Sequence, residues 1–472
     1  MFFPFRHERP NEYQINNWFA GLHINSDCRR IETALIGLEG CQADSPVILQ
    51  KNMSFDLPIE ISSAFEAIQR RFMEEPRRLT QWSMLTSDSR TETNQIQRSV
   101  DDKNSFSQGG NHSQSEVKID TATKNVVFPD VDNLLREMET LKIMLTSVAE
   151  EAIEELFAYS GIARENVILL TVTDPGIQVD TTWGITQREL CDSSFLAVKT
   201  GLNILNALPD KDVAVSGQGR PLYPFPYWIY LNHSEQNRLL IDLGQTARMI
   251  YIPNSKGDSP WNNVVCSAEI PCGNMINFFT EQISRGKSLI DVGGRLSVQG
   301  RCIPELVQQW HQIFLQIEKM TSIDYSSLFL SPNNTIYPFL YQIDQLVQKN
   351  QWSLSDMLCS CVHWIAETLV RQIKTSSFSS DSFNIIITGK AKQNGLLFNR
   401  LSMLLHPQRI ELLESLQFPE ESFDAMAAAM SGVLFQCQMD MNLPHLTQAK
   451  QAVVLGKLTP GEKQLKNDGR ND

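Results

Sequence analysis

A two-lobed α/β protein is what this amino-acid sequence predicts, and three observations predict it. The chain has 472 residues, long for one hydrophobic core, so two lobes are expected. Apolar strands alternate with helices of 3.6-residue periodicity, the pattern of an α/β fold. Two strand-turn-strand units, at residues 18–38 and 238–252, echo one another, one in each half. The pattern divides the chain into an N-terminal lobe at 1–230, a C-terminal lobe at 231–461 and a polar tail at 462–472.

Residues 18–22 and 33–38 are apolar runs on either side of a polar turn and predict a hairpin. Apolar residues at helical intervals predict a helix over 59–72. Residues 86–125 are Ser, Asn, Gln, Asp, Thr and Lys with almost no large apolar side chain. Such a segment cannot bury enough surface to offset its ordering entropy, so it predicts a disordered surface insertion. Leu134, Leu135, Met138, Leu141, Leu145, Val148 and Leu156 give 131–158 a helical stripe, and 167–172 reads as a buried strand. Residues 194–200 read as a helix stopped by Gly201. The second half predicts strands at 238–242 and 249–252 around Gly244. It also predicts helices at 305–317 and 354–373, a strand at 383–388 and a small-residue helix at 422–435.

Composition excludes several function classes. The formal charge is -13, with 54 acids against 41 bases, which argues against nucleic-acid or anionic-membrane partners. No run of 18 apolar residues occurs, so no membrane span is expected. Arg6, His7, Glu8 and Arg9 are not followed by an apolar stretch, which excludes a secretory leader. The nine cysteines are scattered and read as reduced thiols of a cytoplasmic protein. Only Cys359 and Cys361 lie close, and on a helix an i, i+2 pair faces two ways, so no metal site is assigned.

Residues 212–226 pack Gly217, Gly219, Pro221, Pro224 and Pro226 around Gln218. The glycines permit positive φ and close backbone approach, and Gln218 carries both an amide donor and an acceptor. That chemistry suits either a domain-joining loop or a ligand-positioning turn. Residues 214–222, which hold Gly217-Gln218-Gly219, Pro221 and Leu222, resemble the Gly-Gln-Gly-x-Pro-Leu element of the anhydro-N-acetylmuramic acid kinases. Further matches are Asp291, Gly294 and Gly300, the stretch Asp424, Ala425, Ala427 and Ala429, and the terminal run Asn442-Leu443-Pro444, Thr447, Ala449, Leu455-Gly456 and Pro460-Gly461. Apart from the insertion, the resemblance runs from about residue 18 to 461. It implies the two-lobed actin-like ATPase fold of sugar kinases, with duplicated strand-turn-strand cores. It also implies ATP and Mg²⁺ as cofactors, an amino-sugar or nucleotide ligand, and a homodimer as a candidate assembly. The implied reaction is ATP- and water-dependent opening of 1,6-anhydro-N-acetylmuramic acid to its 6-phosphate in peptidoglycan recycling.

Carried over position by position, the resemblance names Asn25, Ser26 and Asp27 in a first phosphate turn, and Gly244, Gln245 and Thr246 in a second. Gly273, Asn274, Gly389 and Asn394 complete the cofactor positions, and Gly217, Gln218 and Gly219 the substrate cleft. The residue types depart from the family where chemistry is done. The general base falls on Ala207 and its assisting Arg on Pro209, with Asp210 and Asp212 as candidate substitutes. Arg29 and Arg30 replace small turn residues, and either crowd a phosphate or neutralise an anion. Lys390 and Lys392 stand in the adenosine wall, and either obstruct a base or ribose or attract phosphate. The reading is a family member whose catalysis is lost or impaired, with a non-catalytic pseudokinase or an interaction protein as the alternative.

Overall fold

The computed structural model describes residues 5–6, 17–38, 47–74, 129–181, 184–321, 350 and 352–461. The insertion expected at 86–125 and the tail at 462–472 lie outside the described residues. The chain divides into two compact units, residues 1–62 with 142–472, and residues 63–141.

In chain order the strands begin with β1 (Phe5–Arg6), β2 (Asn17–Ile24), β3 (Arg30–Leu38), β4 (Val47–Asp56), β5 (Val167–Thr173), β6 (Ile177–Thr181), β7 (Gly184–Arg188) and β8 (Ile204–Asn206). They continue with β9 (Asn237–Leu243), β10 (Thr246–Ile252), β11 (Val265–Cys266), β12 (Ile270–Pro271), β13 (Phe383–Thr388), β14 (Ile410–Leu412) and β15 (Lys457–Thr459). The helices are α1 (Ile59–Glu74), α2 (Pro129–Ser160), α3 (Ser193–Thr200), α4 (Leu208–Ala214), α5 (Pro224–Leu231) and α6 (Gly273–Ser284). Then come α7 (Pro304–Thr321), α8 (Leu354–Thr375), α9 (Gly395–Leu405), α10 (Phe423–Gln436) and the short α11 (Pro444–Thr447). Every element read from periodicity is present, and the Gly201 stop is the left-handed C-cap of α3, at φ 71°. In the unit 63–141, Arg71 on α1 grips both carboxylate oxygens of Glu137 on α2, at 3.0 and 2.9 Å.

The echo between the halves is explicit in the topology. The first sheet runs β1-β4-β3-β2-β5-β8-β15 and the second β11-β10-β9-β13-β14, with β12 beside β10. In each, an antiparallel hairpin (β2/β3, β9/β10) leads to two parallel strands (β5 and β8, β13 and β14) on one side and an antiparallel one (β4, β11) on the other. The expected C-terminal stretch 231–461 contributes to both sheets, because α10 packs on β2, β3 and β5 and β15 pairs with β8.

The second sheet is buried on both faces, which is why its strands read as unbroken apolar runs. Leu240, Ile250, Ile252 and Ile386 point into one core with α5 and α10, while Leu239, Ile241, Met249, Ile385 and Ile387 point into another with α6 to α9. The alanines of α10 bring it hard against β2: a Cβ on Gly21 would lie 2.0 Å from the Ala425 carbonyl oxygen. Eight cysteines are described and all are free thiols. Among the described residues no helix is long and apolar enough to cross a membrane.

Candidate functional site

The two hairpin turns face a cavity of ≈ 910 Å³. The β2–β3 turn is closed upon itself. Asn25 Oδ1 accepts the backbone N–H groups of Arg29 (3.0 Å) and Arg30 (2.8 Å), and Asp27 Oδ1 also accepts from Arg29 (3.2 Å). Those amides would be the natural donors to an anionic oxygen, and side chains of the turn occupy them. Asp27 is 4% exposed, and its Oδ2 accepts from Gln245 Nε2 at 2.7 Å. That bond joins the first turn directly to the second. Burial pushes the Asp27 carboxyl up, against the Arg29 guanidinium beside it. Arg30 turns away to Glu421 (3.0 Å) and Asp56 (3.4 Å).

In the second turn, Gly244 accepts from the backbone of Gly273 at 2.9 Å, and a Cβ on Gly273 would lie 2.6 Å from that oxygen. Gln245 C=O accepts from Cys272 and Asn274, both at 3.0 Å. Thr246 donates to Glu269 at 2.9 Å. Asn274 caps its own helix start, its Oδ1 accepting from Cys272 and Met275 at 3.1 and 2.7 Å. Gly389, at φ 93°, lies against the Leu243 backbone, where no side chain fits. Asn394 lines the cavity, but its side chain is the N-cap of α9, accepting from Leu397 at 3.1 Å and donating to the buried Asp291 at 3.0 Å. Asn394→Ala is therefore expected to cost about 2 kcal/mol of stability, read as a lower denaturant midpoint. Of the two lysines expected in the adenosine wall, Lys392 is instead withdrawn into ion pairs with Glu414 and Glu420, because those acids draw it off the cavity lining; Lys390 does line the cavity.

The glycine-glutamine turn is a structural hub. Asp212, 1% exposed, accepts from Gly219 N–H, Asn442 Nδ2 and Thr447 Oγ1, each at 2.7 Å. Gly217 has no Cβ because one would overlap that carboxylate, and Gln218 N–H donates to Thr447 C=O at 2.8 Å. Gln218 lines the cavity, while Gly217, Gly219, Ala207, Asp210 and Asp212 do not. Asp210 is instead ion-paired with Lys457. Ala207 is buried in a left-handed conformation (φ 50°, ψ 42°), which Asp and Asn adopt more readily than Ala. Its N–H bonds to Glu189, a carboxyl pushed up to about 7 by burial. Glu189 is not part of the cavity lining.

A polar network that sequence reading did not assemble lies along one wall. His23 Nδ1 meets Thr173 Oγ1 (3.0 Å) and Tyr223 Oη (3.2 Å), and its Nε2 lies 3.5 Å from Asp424. Asp424 accepts from Tyr227, which in turn accepts from Arg248 at 3.3 Å. Arg248 Nε sits 3.2 Å from Asp242, whose carboxyl burial pushes up to about 6. Asp424, at the head of α10, and Asp242, at the entry to the second turn, had a sequence signal. The others are single polar residues on apolar strands or, for Tyr223 and Tyr227, at the start of α5, and become a network only when β2, β5, β9, β10 and α5 converge.

These residues do not fit a Mg²⁺-nucleotide. The phosphate turns are bonded to one another, and the Arg248 guanidinium already supplies a cation to Asp242.

Two sheets of matching hairpin-plus-parallel-strand topology, with a cavity at their turns, define a two-lobed protein of the actin-like sugar-kinase class. The profile of the anhydro-N-acetylmuramic acid kinases matches residues 116–461, and the chain belongs to that family. It is 24% identical over 271 residues to the anhydro-N-acetylmuramic acid kinase of Acidithiobacillus ferrooxidans, covering 57% of this chain and 64% of that one, a little under two thirds. With the kinase of Shewanella sediminis it shares 24% over 340 residues, covering 71% and 85%. The activator of 2-hydroxyisocaproyl-CoA dehydratase from Clostridium difficile, solved with bound ADPNP, aligns over 88% of this chain and 94% of its own, with 11% identity and a TM-score of 0.36.

Proposed function

We propose that this chain is a pseudokinase of the anhydro-N-acetylmuramic acid kinase family. It binds a small sugar-like ligand in its cleft and does not transfer phosphate from ATP. The observation that carries this reading is the 2.7 Å bond between Asp27 and Gln245. Phosphoryl transfer in this class relies on amides and a cation arranged around the phosphates. Here the Arg29 and Arg30 amides of the first turn are held by the side chains of Asn25 and Asp27, the Asp27 carboxylate is bonded to Gln245 of the second turn, and Arg248 is paired with Asp242. The base position supports the same reading: Ala207 cannot take a proton, and a general base contributes roughly 10² to 10⁴-fold.

Ligand binding is supported by a cavity of ≈ 910 Å³, a size suited to a small molecule, with a hydrogen-bonding wall from His23 to Arg248. The family reaction supports a ligand drawn from cytoplasmic amino-sugar metabolism.

The test is ADP release from Mg-ATP, with and without 1,6-anhydro-N-acetylmuramic acid. The expected result is no stimulation by the sugar, together with a sugar-induced rise in melting temperature. Sugar-stimulated ADP release at an ordinary kinase rate would falsify the reading.

A further inference from the structure

Glu32 is the acid of the cavity that its surroundings leave unanswered. It sits on β3, directly across from His23 on β2, is 9% exposed, and lines the cavity. Its Oε2 is buried with no hydrogen-bond partner, and its carboxylate accepts no bond among the described residues. Buried carboxylates almost always find donors, so an orphan facing a cavity asks for a donor from outside the protein.

The other acids nearby are answered: Asp27 by Gln245, Asp174 by the backbone amides of Gly176, Leu190 and Cys191, Asp242 by Arg248, Glu269 by Thr246, and Asp424 by Tyr227. The cavity is also acidic as a whole. Among its described lining residues are ten Asp and Glu against five Arg and Lys, a field that concentrates cations and repels a polyanion.

We infer that Glu32 anchors the protonated amine of a small polyhydroxylated ligand, an amino sugar whose amine is free and not acylated. This deepens the ligand-binding reading above and rests on it. The ammonium supplies the donor that Glu32 Oε2 lacks and the positive charge that the cavity lacks. The ligand's hydroxyls meet the wall formed by His23, Tyr223, Tyr227 and Asp424.

Proton linkage follows. Burial, with Asp424, Glu421 and Asp242 adding like charge and Arg30 opposing them, holds the Glu32 carboxyl well above the usual carboxylate range. An ammonium beside it favours the charged form, so binding releases a proton from the protein. Affinity then rises as pH rises through the Glu32 pKa of the free protein, until the ligand's own amine loses its proton.

The experiment is calorimetry of the full chain with glucosamine, N-acetylglucosamine and MgCl₂ alone, each in two buffers of different ionisation enthalpy. Glucosamine is expected to bind at least about tenfold more tightly than N-acetylglucosamine, with proton release, and MgCl₂ to give no saturable heat. Glu32→Gln, nearly isosteric, is expected to remove the preference and the proton release. A melting curve of that variant confirms that it is folded. Equal binding of the two sugars, binding of neither, a saturable response to MgCl₂ alone, or a preference that survives in Glu32→Gln would each overturn the inference. Sugar-stimulated ADP release would instead sink the pseudokinase reading while leaving the amine preference measurable.

Discussion

Replacing Asp212 by alanine is expected to lower the unfolding free energy by about 4 kcal/mol, the largest loss from any single polar substitution in the cleft region. The carboxylate is 1% exposed and gathers three donors at 2.7 Å from two separate segments: Gly219 in the turn, and Asn442 and Thr447 in the C-terminal run. Its removal strands all three in the interior, and the glycine-glutamine turn loses its tie to the C-terminal run 442–447. Asp212→Asn keeps the shape, but it replaces one charged acceptor oxygen by an amide donor that faces donors, so it should recover only part of the loss. Denaturant midpoints of the two variants check this. An Asp212→Ala protein within about 1 kcal/mol of wild type would show that the hub is not what holds the turn.

Gly21→Ala is expected to destabilise by at least about 3 kcal/mol, although it adds a single methyl group. That methyl would lie 2.0 Å from the Ala425 carbonyl oxygen and 2.5 Å from the Ala429 nitrogen, so it meets helix backbone with no flexible side chain able to yield. The strand and α10 must separate, and with them His23 and Asp424, which sit 3.5 Å apart across the same contact. The variant should therefore lose ligand binding along with stability. Thermal unfolding and a ligand-induced melting shift measure both effects. A Gly21→Ala protein of normal stability would contradict the packing of α10 on β2.

Much of the fold was legible in the sequence, because long elements with one period declare themselves. The 3.6-residue stripe of α2, the apolar runs of β9, β10 and β13, and the Gly201 stop follow from local rules. Short elements did not. Helix α5, Pro-Phe-Pro-Tyr-Trp-Ile-Tyr-Leu, is buried along its whole length, so it has no polar face to give a period, and its prolines read as a loop. The two-residue strands β1, β11 and β12 exist only through their partners.

The site divides in the same way. Asn25, Asp27 and Gln245 were individually visible by position, but the bond between Asp27 and Gln245 spans 218 residues and belongs to tertiary structure. Asn274 and Asn394 matched cofactor positions, yet their side chains cap helices, a local use that a positional match does not reveal. Glu32 gave no signal as an acid on a strand. Its importance comes from what surrounds it.

Calorimetric titration of the full chain with Mg-ATP tests most directly whether the two phosphate turns are closed on each other. No saturable heat is predicted, with or without 1,6-anhydro-N-acetylmuramic acid, because Asp27 and Gln245 occupy each other and the Asn25 side chain holds the Arg29 and Arg30 amides. Saturable micromolar binding of Mg-ATP to the wild-type chain would contradict the closure and restore the kinase reading.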